Sequence, residues 1–386
     1  MKKYIGSKAP KLVIVSEGIR RDLHQPLRYF RKITVFHLYK KASYGDMMPT
    51  DFYNPRAEKF QSALELYKKI KAIKPDILQT AEPWANKISF VITLAFVITL
   101  VCYWYSLWHS TVLIFPVFEN RPFDKKFSKI QNKIICQWGK ILASRSQLIF
   151  YMNQGAYKNL QKMKISDAKT MRANWGTWGI DFNDFNTRGV QKTWDKLYEP
   201  VIFFVGKIRR AKGVPWLLDA FVKVKKDFPQ AKLKLAGPLD EEDFLKQIKT
   251  TRGAQYIGII KNQELAIHFQ KATLTVSPSI TTPKWEEQVG MVNLQLMACG
   301  TPVVSTYSGA IPEYICDRNG CLLMAEKNSD EIYQAIKKMI GDRVFYARQV
   351  EKAKQWVKRY EVEQNIIGIE KILLQLVFYS HQQLLK

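Results

Sequence analysis

The stretch "EEQVGMVNLQLMACGTPVV", Glu286 to Val304, sets two acids and a lone glycine ahead of a short apolar run and closes on Gly-Thr-Pro before a valine pair. The run from Met291 to Met297 suits a brief helix. Gly300 can end it in a left-handed cap, and Thr301-Pro302 forbids its continuation, so a strand is predicted from Val303 to Ser305. Glu287 then lies in a loop just before a helix entered through Gly290. The unpaired N–H groups and positive dipole end of such a helix make an anion site. A carboxylate beside it reads neutral hydroxyls better than phosphate.

Outward from this stretch, the second half alternates short apolar runs with helical spacing. Strands are predicted at 201–205, 232–236, 255–258 and 274–276, with helices at 215–227, 240–250 and 262–270. The first half opens the same way. Leu12 to Val15 reads as a buried strand ending at Ser16-Glu17-Gly18, and Ile33 to Leu38 as another; Ala57 to Ile73 has helical spacing, and 77–80, 111–117 and 147–152 read as strands. Strands alternating with helices imply parallel sheets. The fold class is therefore α/β, with two Rossmann-like domains. The aromatic, aperiodic "WGTWGIDFNDFN", Trp175 to Asn186, with the polar stretch after it, is the predicted linker, which gives domains 1–185 and 186–365 and leaves 366–386 as a C-terminal helix.

The length of 386 residues suits two domains, each able to bury a core. The formal charge of +26 is lopsided: residues 1–190 carry 31 Lys and Arg against 13 Asp and Glu, or +18, and the remainder +8. Nucleic acid, acidic lipid headgroups and phosphorylated substrates all answer such a charge. The five cysteines form no CxxC pair, and no secretory signal or glycosylation sequon is evident, which fits a reducing cytosolic setting. The uncharged run from Ile88 to Phe118 passes the usual length test for a membrane span. Topology argues against it. The strands on either side of the helical part of that run must share one sheet through one crossover, which a single span would place on opposite sides of a bilayer. The run is expected to be a very apolar crossover helix, buried or lying on a membrane surface; the alternative is a true span, which would break the two-domain reading.

Strand 201–205 runs directly into "GKIRRAKG", Gly206 to Gly213, and Pro215 sits where a helix begins. This basic turn faces the mouth of the sheet, where open α/β folds bind ligands. Two cations and a helix N-terminus suit a diphosphate, while Glu287 and Gln295 can bond the hydroxyls of sugars on either side of it. The implied ligand is a nucleotide sugar.

With these residues in place, the chain resembles the GT-B glycosyltransferases of family 4, the glycosyl transferases group 1. "FFVGKIRRAKGVPWLLDAF" is similar to that family's G-[RK]-x4-K-G stretch, "VSPSITTPKWEEQVGMVNLQLMACGTPVV" to its E-x7-E stretch, and "SGAIPEYICDRNGCLL" to the G-G-x-P-E loop that follows. The first half matches only in strand order and in the "VSEG" loop. The resemblance implies a retaining enzyme that uses a nucleotide-sugar donor without a bound metal or other cofactor. It implies that Lys207 and Lys212 hold the diphosphate, Glu287 the donor sugar, Gln295 the ribose, and the amides of Gly290, Met291 and Val292 the phosphates, with Gly18 and Gly206 also at the donor. It further implies that the last helix crosses back to brace the first domain.

Three positions depart from the family pattern. Lys207 stands where Arg is usual, giving a point charge in place of a fork. Gln295 replaces the second Glu and lacks its charge-assisted strength. Where many relatives have a histidine in the first domain, this chain has Glu119-Asn120, and Glu119 becomes a candidate to orient the donor sugar or acceptor.

The expected function is transfer of a sugar to a lipid-linked or glycan acceptor at the cytoplasmic membrane face, by a peripheral protein drawn to anionic lipid and without a nucleic-acid partner. Two alternatives stand beside it: a basic nucleic-acid-binding protein, which would lack the stacking aromatics and recognition helix such proteins use, and a family member that has lost catalysis through Gln295 and Lys207. Histidine spacing gives no metal motif, and Walker A, GxGxxG and GxSxG sequences are absent.

Overall fold

The first strand, β1 (Lys11–Ile19), divides its side chains between two cores. Val13 and Val15 enter an apolar cluster on one face of the sheet, and Leu12 and Ile14 enter another on the opposite face. Strand side chains alternate with period two, so a continuous apolar run means that both faces are covered. The structure, a computed structural model, describes residues 8–42, 47–84, 94–188 and 197–384. The first sheet continues with β2 (Thr34–Ala42), β3 (Arg56–Lys59), β4 (Ile77–Gln79), β5 (Val112–Val117), β6 (Leu148–Tyr151) and β7 (Thr170–Arg172), all parallel, in the order β3-β2-β1-β4-β5-β6-β7.

The second sheet contains β8 (Val201–Val205), β9 (Lys232–Ala236), β10 (Ala254–Tyr256), β11 (Leu274–Ser277), β12 (Val303–Thr306) and β13 (Cys321–Met324). It is also parallel, in the order β10-β9-β8-β11-β12-β13. Each sheet reverses its winding once, between β1 and β4 in the first and between β8 and β11 in the second. Ligands of open α/β sheets bind beyond the carboxyl ends of the strands at such a reversal.

The chain divides into a first unit, residues 1–179 and 362–386, and a second, residues 180–361. The expected boundary at 185/186 therefore moves back by six residues, and the cause lies in the aromatic stretch itself. Trp175 is fully buried, stacks on Phe150 with ring centres 4.3 Å apart and donates to Gln79 Oε1; Trp178 donates to Leu23 O. These indoles belong to the core of the first unit. The polar stretch at 189–196 lies outside the described residues.

The return also begins earlier than 366, because the last helix is Val362–Leu384. Ile366, Ile369, Leu373 and Val377 recur on one face of it and are buried in the first unit's second core, each worth roughly 2 kcal/mol of apolar burial. On the same helix Glu370 Oε1 accepts the amides of Arg31, Lys32 and Ile33.

Two further expectations change. β1 does not end at Ser16-Glu17-Gly18 but runs to Ile19, with Gly18 paired to Lys41 of β2, so Gly18 is a strand residue and not part of a loop. The predicted helix 57–73 splits: residues 56–59 are β3, and Ser62 accepts the amide of Glu65 to cap a helix that covers only Ala63–Ile73. The apolar run contains the helix Leu94–Trp108, on the crossover from β4 to β5, while its first residues, 88–93, lie outside the described residues. No helix among the described residues is long and apolar enough to cross a membrane.

Candidate active site

The site of the second unit is built where its sheet reverses. From β8 the chain enters Gly206–Gly213, and from β11 it enters 278–290; the two loops are stitched together by the amide of Ile280, which donates to Ala211 O at 2.9 Å. Gly213 makes that approach possible. It has φ +76° at the start of the helix Val214–Asp227, and a Cβ there would sit 1.8 Å from Pro278 O.

The approach puts Lys212 Nζ 2.6 Å from Glu287 Oε2, which also accepts from Ser279 Oγ at 3.0 Å. Burial alone would raise the Glu287 carboxyl, but the Lys212 ammonium, the hydrogen bonds from Lys212 and Ser279, and the Arg209 charge outweigh it and hold the group below the usual carboxylate range. The pair is thus ionised yet only 21% and 15% exposed. The indole of Trp285 lies under both neighbouring cations, 4.9 Å from the Arg209 guanidinium and 4.7 Å from Lys212 Nζ.

Beyond Glu287 the chain enters the helix Met291–Ala298 through Gly290, whose φ of +73° turns the backbone into the first helical turn. The amides at the start of that turn have no acceptor within the helix. Asn293, 1% exposed in the same turn, has neither Oδ1 nor Nδ2 hydrogen-bonded. A buried amide left open on both atoms is costly to a fold unless something else fills it. Gln295 follows on the buried side of this helix at 7% exposure. Gly300 ends the segment with φ +66°, its amide donating to Met297 O and that of Thr301 to Leu296 O.

The structure therefore brings together Lys212, Glu287, Gly290, Met291, Val292 and Gln295 on two adjoining loops and one helix. Lys207 differs: its ammonium pairs with Asp240 at 3.2 Å, on the exposed side of the Gly206 turn. Sequence reasoning missed Ser279, Arg209, Trp285 and Asn293. For Asn293 a signal existed, since it is one of only two polar residues in an otherwise apolar helix and stands three places after Gly290.

In the first unit, Glu119 follows β5 and is 6% exposed. Its carboxylate pairs with Lys126 and accepts the amide of Arg121, while its own amide donates to Glu82 Oε1 at 2.8 Å. Glu82, just past β4, also accepts from the amide of Phe118 and from Trp84 Nε1. Burial, reinforced by the charge of Glu119, pushes the Glu82 carboxyl up to about 7, against the pull of those amides.

Next to β1, His24 Nε2 faces the carbonyls of Asp51 and Pro55, which only accept, so it carries the proton. Burial lowers both His24 and His37, and both are neutral. His24 Nδ1 then accepts from His37 Nδ1–H at 2.9 Å, and His37 Nε2 faces the Ser16 hydroxyl at 2.7 Å.

These groups fix opposite pH dependences. The histidines bind fewer protons folded than unfolded, so their contribution to stability grows as pH rises toward their ordinary value of 6.5. Glu82 binds more protons folded, so it weakens the fold as pH rises from 4.5 to about 7. Glu82→Gln keeps the accepting oxygen and removes the charge. It is expected to stabilise the protein at pH 8 by about 1–3 kcal/mol and to be near neutral at pH 4. Thermal melts of both proteins at the two pH values check this, and equal destabilisation at both would refute it.

Comparison with known proteins bears on the second unit first. Residues 191–356 match the sequence model of the family described as Glycosyl transferases group 1. An uncharacterized glycosyltransferase of Methanocaldococcus jannaschii is 27% identical over 209 residues, 52% of this chain and 51% of its own length. The alpha-maltose-1-phosphate synthase of Mycolicibacterium smegmatis is 32% identical over 145 residues, 36% of this chain and 37% of its own. The chain thus spans about half, or less, of the length of these curated relatives. Among solved structures, Anabaena Alr3699/HepE in complex with UDP and glucose superposes with a TM-score of 0.73 at 17% identity, covering 95% of this chain and all of that one. That likeness covers both sheets, and the fold is the GT-B arrangement of two Rossmann-like domains. Residues 191–356, which contain both the Lys212–Glu287 pair and the open turn at Gly290, are thus the part of the chain that is similar to the glycosyl transferases group 1 family.

Proposed function

We propose that the protein is a glycosyltransferase that moves a sugar from a nucleotide-sugar donor, with retention and without a bound metal, to a lipid-linked or glycan acceptor at the cytoplasmic membrane face. The observation that carries this reading is the ionised Lys212–Glu287 pair beside the open first turn of the helix Met291–Ala298, at the reversal of the second sheet. Lys212 and the amides of Met291 and Val292 take the diphosphate. Glu287 takes hydroxyls of the donor sugar, and Gln295 those of the ribose. Asn293 is the added polar group, finding in the ligand the partners it lacks in the protein. Support from outside the chain comes from the Anabaena protein, which is also solved with UDP-glucose.

In retaining transfer, the bond from the anomeric carbon to the diphosphate breaks on the same face on which the acceptor oxygen attaches. The acceptor's proton passes to the departing diphosphate. The protein's part is to position the two substrates and to stabilise charge that grows on the diphosphate, which falls to Lys212 and the helix start. Glu119 is held by Lys126 and Arg121 and is assigned to orientation of the sugar or acceptor.

A thermal-shift screen against UDP-, GDP- and ADP-sugars tests the reading. A ligand at a hundred times its Kd stabilises the folded state by about 2.7 kcal/mol, which moves a melt by several degrees. One or more nucleotide sugars are expected to do so. A panel without effect, alongside a salt-sensitive shift with single-stranded DNA, would replace this reading with the nucleic-acid one.

A further inference from the structure

The helix Leu94–Trp108 and the helix Lys129–Arg145 lie side by side against one face of the first sheet. They run in the same direction, since Trp138 Nε1 donates to Thr99 Oγ1 and Arg145 Nε to Ser106 O, seven residues further along each helix. Their inward residues, among them Ile98, Cys102 and Leu142, are fully buried. Their outward faces therefore point away from the sheet together; that of the first is apolar, and that of the second interleaves isoleucines with lysines. Leu100, Trp104, Leu107 and Trp108 stand out on the first helix, and Ile130, Ile134 and Ile141 on the second, with Trp108 70% and Ile130 75% exposed. Single exposed apolar side chains are ordinary, but a run of them over two adjacent helices is a patch that marks a contact.

The charge on these two helices has one sign. The first helix carries no Lys, Arg, Asp or Glu, and the second carries Lys129, Lys133, Lys140 and Arg145 with no acid. Beyond the first helix, on its other flank, Lys68 and Lys71 are exposed on the helix Ala63–Ile73. A second copy docked on the same face would set lysine against lysine with no carboxylate between them. A surface of lipid phosphates answers both features at once: indole and isoleucine side chains enter the headgroup region, and lysines pair with phosphate.

We propose that the outward faces of the helices Leu94–Trp108 and Lys129–Arg145 form a docking surface for an anionic phospholipid bilayer. The surface deepens the membrane-face part of the proposed function and rests on that reading for its purpose, which is to bring a lipid-borne acceptor to the first unit. Each of these helices follows a strand of the parallel sheet, so its N-terminus lies at the carboxyl ends of the strands. Ile130 and Ile134 are thus at the end of the sheet that also holds Glu82 and Glu119.

The test is sedimentation with vesicles of phosphatidylglycerol and phosphatidylcholine, or of phosphatidylcholine alone, without donor or acceptor. Four proteins are compared: wild type, Trp104→Ser/Trp108→Ser, Lys129→Glu/Lys133→Glu/Lys140→Glu, and, as a control of equal charge reversal, Lys223→Glu/Lys246→Glu/Lys249→Glu in the second unit. Wild type is expected to bind the anionic vesicles and to be released by high salt. The tryptophan variant should bind about tenfold more weakly, and the first lysine variant roughly a hundredfold more weakly, while the control stays within a few fold of wild type. Circular dichroism melts confirm that each variant is folded. Equal loss in the control, unchanged binding in both face variants, or a wild type that stays in the supernatant with both vesicle types would each overturn the proposal. So would a concentration-dependent dimer that the face variants abolish, since a second copy would then be the occupant. Donor hydrolysis in solution, measured on the same variants, reports on the transferase reading separately.

Discussion

Lys212→Ala is expected to lower sugar transfer by at least about a hundredfold in a folded protein. A cation beside a leaving diphosphate acts mostly in the transition state, where a group of this kind is worth ~3 kcal/mol. The geometry sharpens the expectation, because Lys212 serves two partners. It is the 2.6 Å neighbour of Glu287 and also lies over Trp285. Without it, the burial that favours a protonated Glu287 loses its main opponent, and the carboxyl rises. Part of the lost activity should therefore return at higher pH, where Glu287 ionises again, and part should not, because the cation itself is missing. Single-turnover rates of the variant across pH separate the two parts. Turnover within threefold of wild type at neutral pH would remove Lys212 from the reaction.

Gly213→Ala should be the most damaging single methyl addition of those considered for the second unit. The residue sits at φ +76°, a region that costs an ordinary side chain about 1–2 kcal/mol. The larger problem is contact, since the new Cβ would lie 1.8 Å from the backbone oxygen of Pro278 and no side-chain rotation can relieve it. The two loops would have to part, breaking the stitch from Ile280 to Ala211 and drawing Lys212 away from Glu287. A loss of 3 kcal/mol or more is expected, together with loss of nucleotide-sugar binding. Gly258→Ala is the matched comparison. It has φ +81° but nothing within 4 Å of the added Cβ, so only the backbone cost of about 1 kcal/mol should appear. If the two variants melt together, close approach at Pro278 is not what requires the glycine.

Much of the second unit could be read from its sequence because backbone grammar and chemistry coincide there. Gly290 and Gly300 do bound the helix at 291–298, both with positive φ, and Pro302 does precede a strand. Edge strands were less legible. β3 is Arg56–Lys59 and β7 is Thr170–Arg172, and neither carries the apolar run by which strands were recognised, because an edge strand need not bury both faces. The tryptophans of "WGTWGIDFNDFN" misled for the opposite reason. An aperiodic segment reads as a linker, yet Trp175 and Trp178 fill the first unit's core without belonging to any helix or strand.

Within the site, Lys207 and Lys212 are equivalent as letters. Which one meets Glu287 depends on how the turn before Gly213 folds, and the sequence carries no side-chain direction. The His24–His37 contact and the raised carboxyl of Glu82 were beyond reach for the same reason, since the first depends on how the helix Arg21–His24 packs beside β2 and the second on β4 and β5 lying side by side.

The return of the helix Val362–Leu384 has a consequence for the order of events during synthesis. Residues 180–361 form a unit whose two ends already meet, with the amide of Ile180 donating to Tyr360 O at 2.7 Å and Ile180 bridged to Glu361. That unit is complete as soon as Glu361 has left the ribosome. The first unit, although begun earlier, must wait for Ile366, Ile369, Leu373 and Val377 to cover one face of its sheet, and for Glu370 to bind the three amides at 31–33. The later-made unit is thus expected to mature first, against the usual N-terminal-first order. Until that helix docks, the first unit carries an open apolar sheet face.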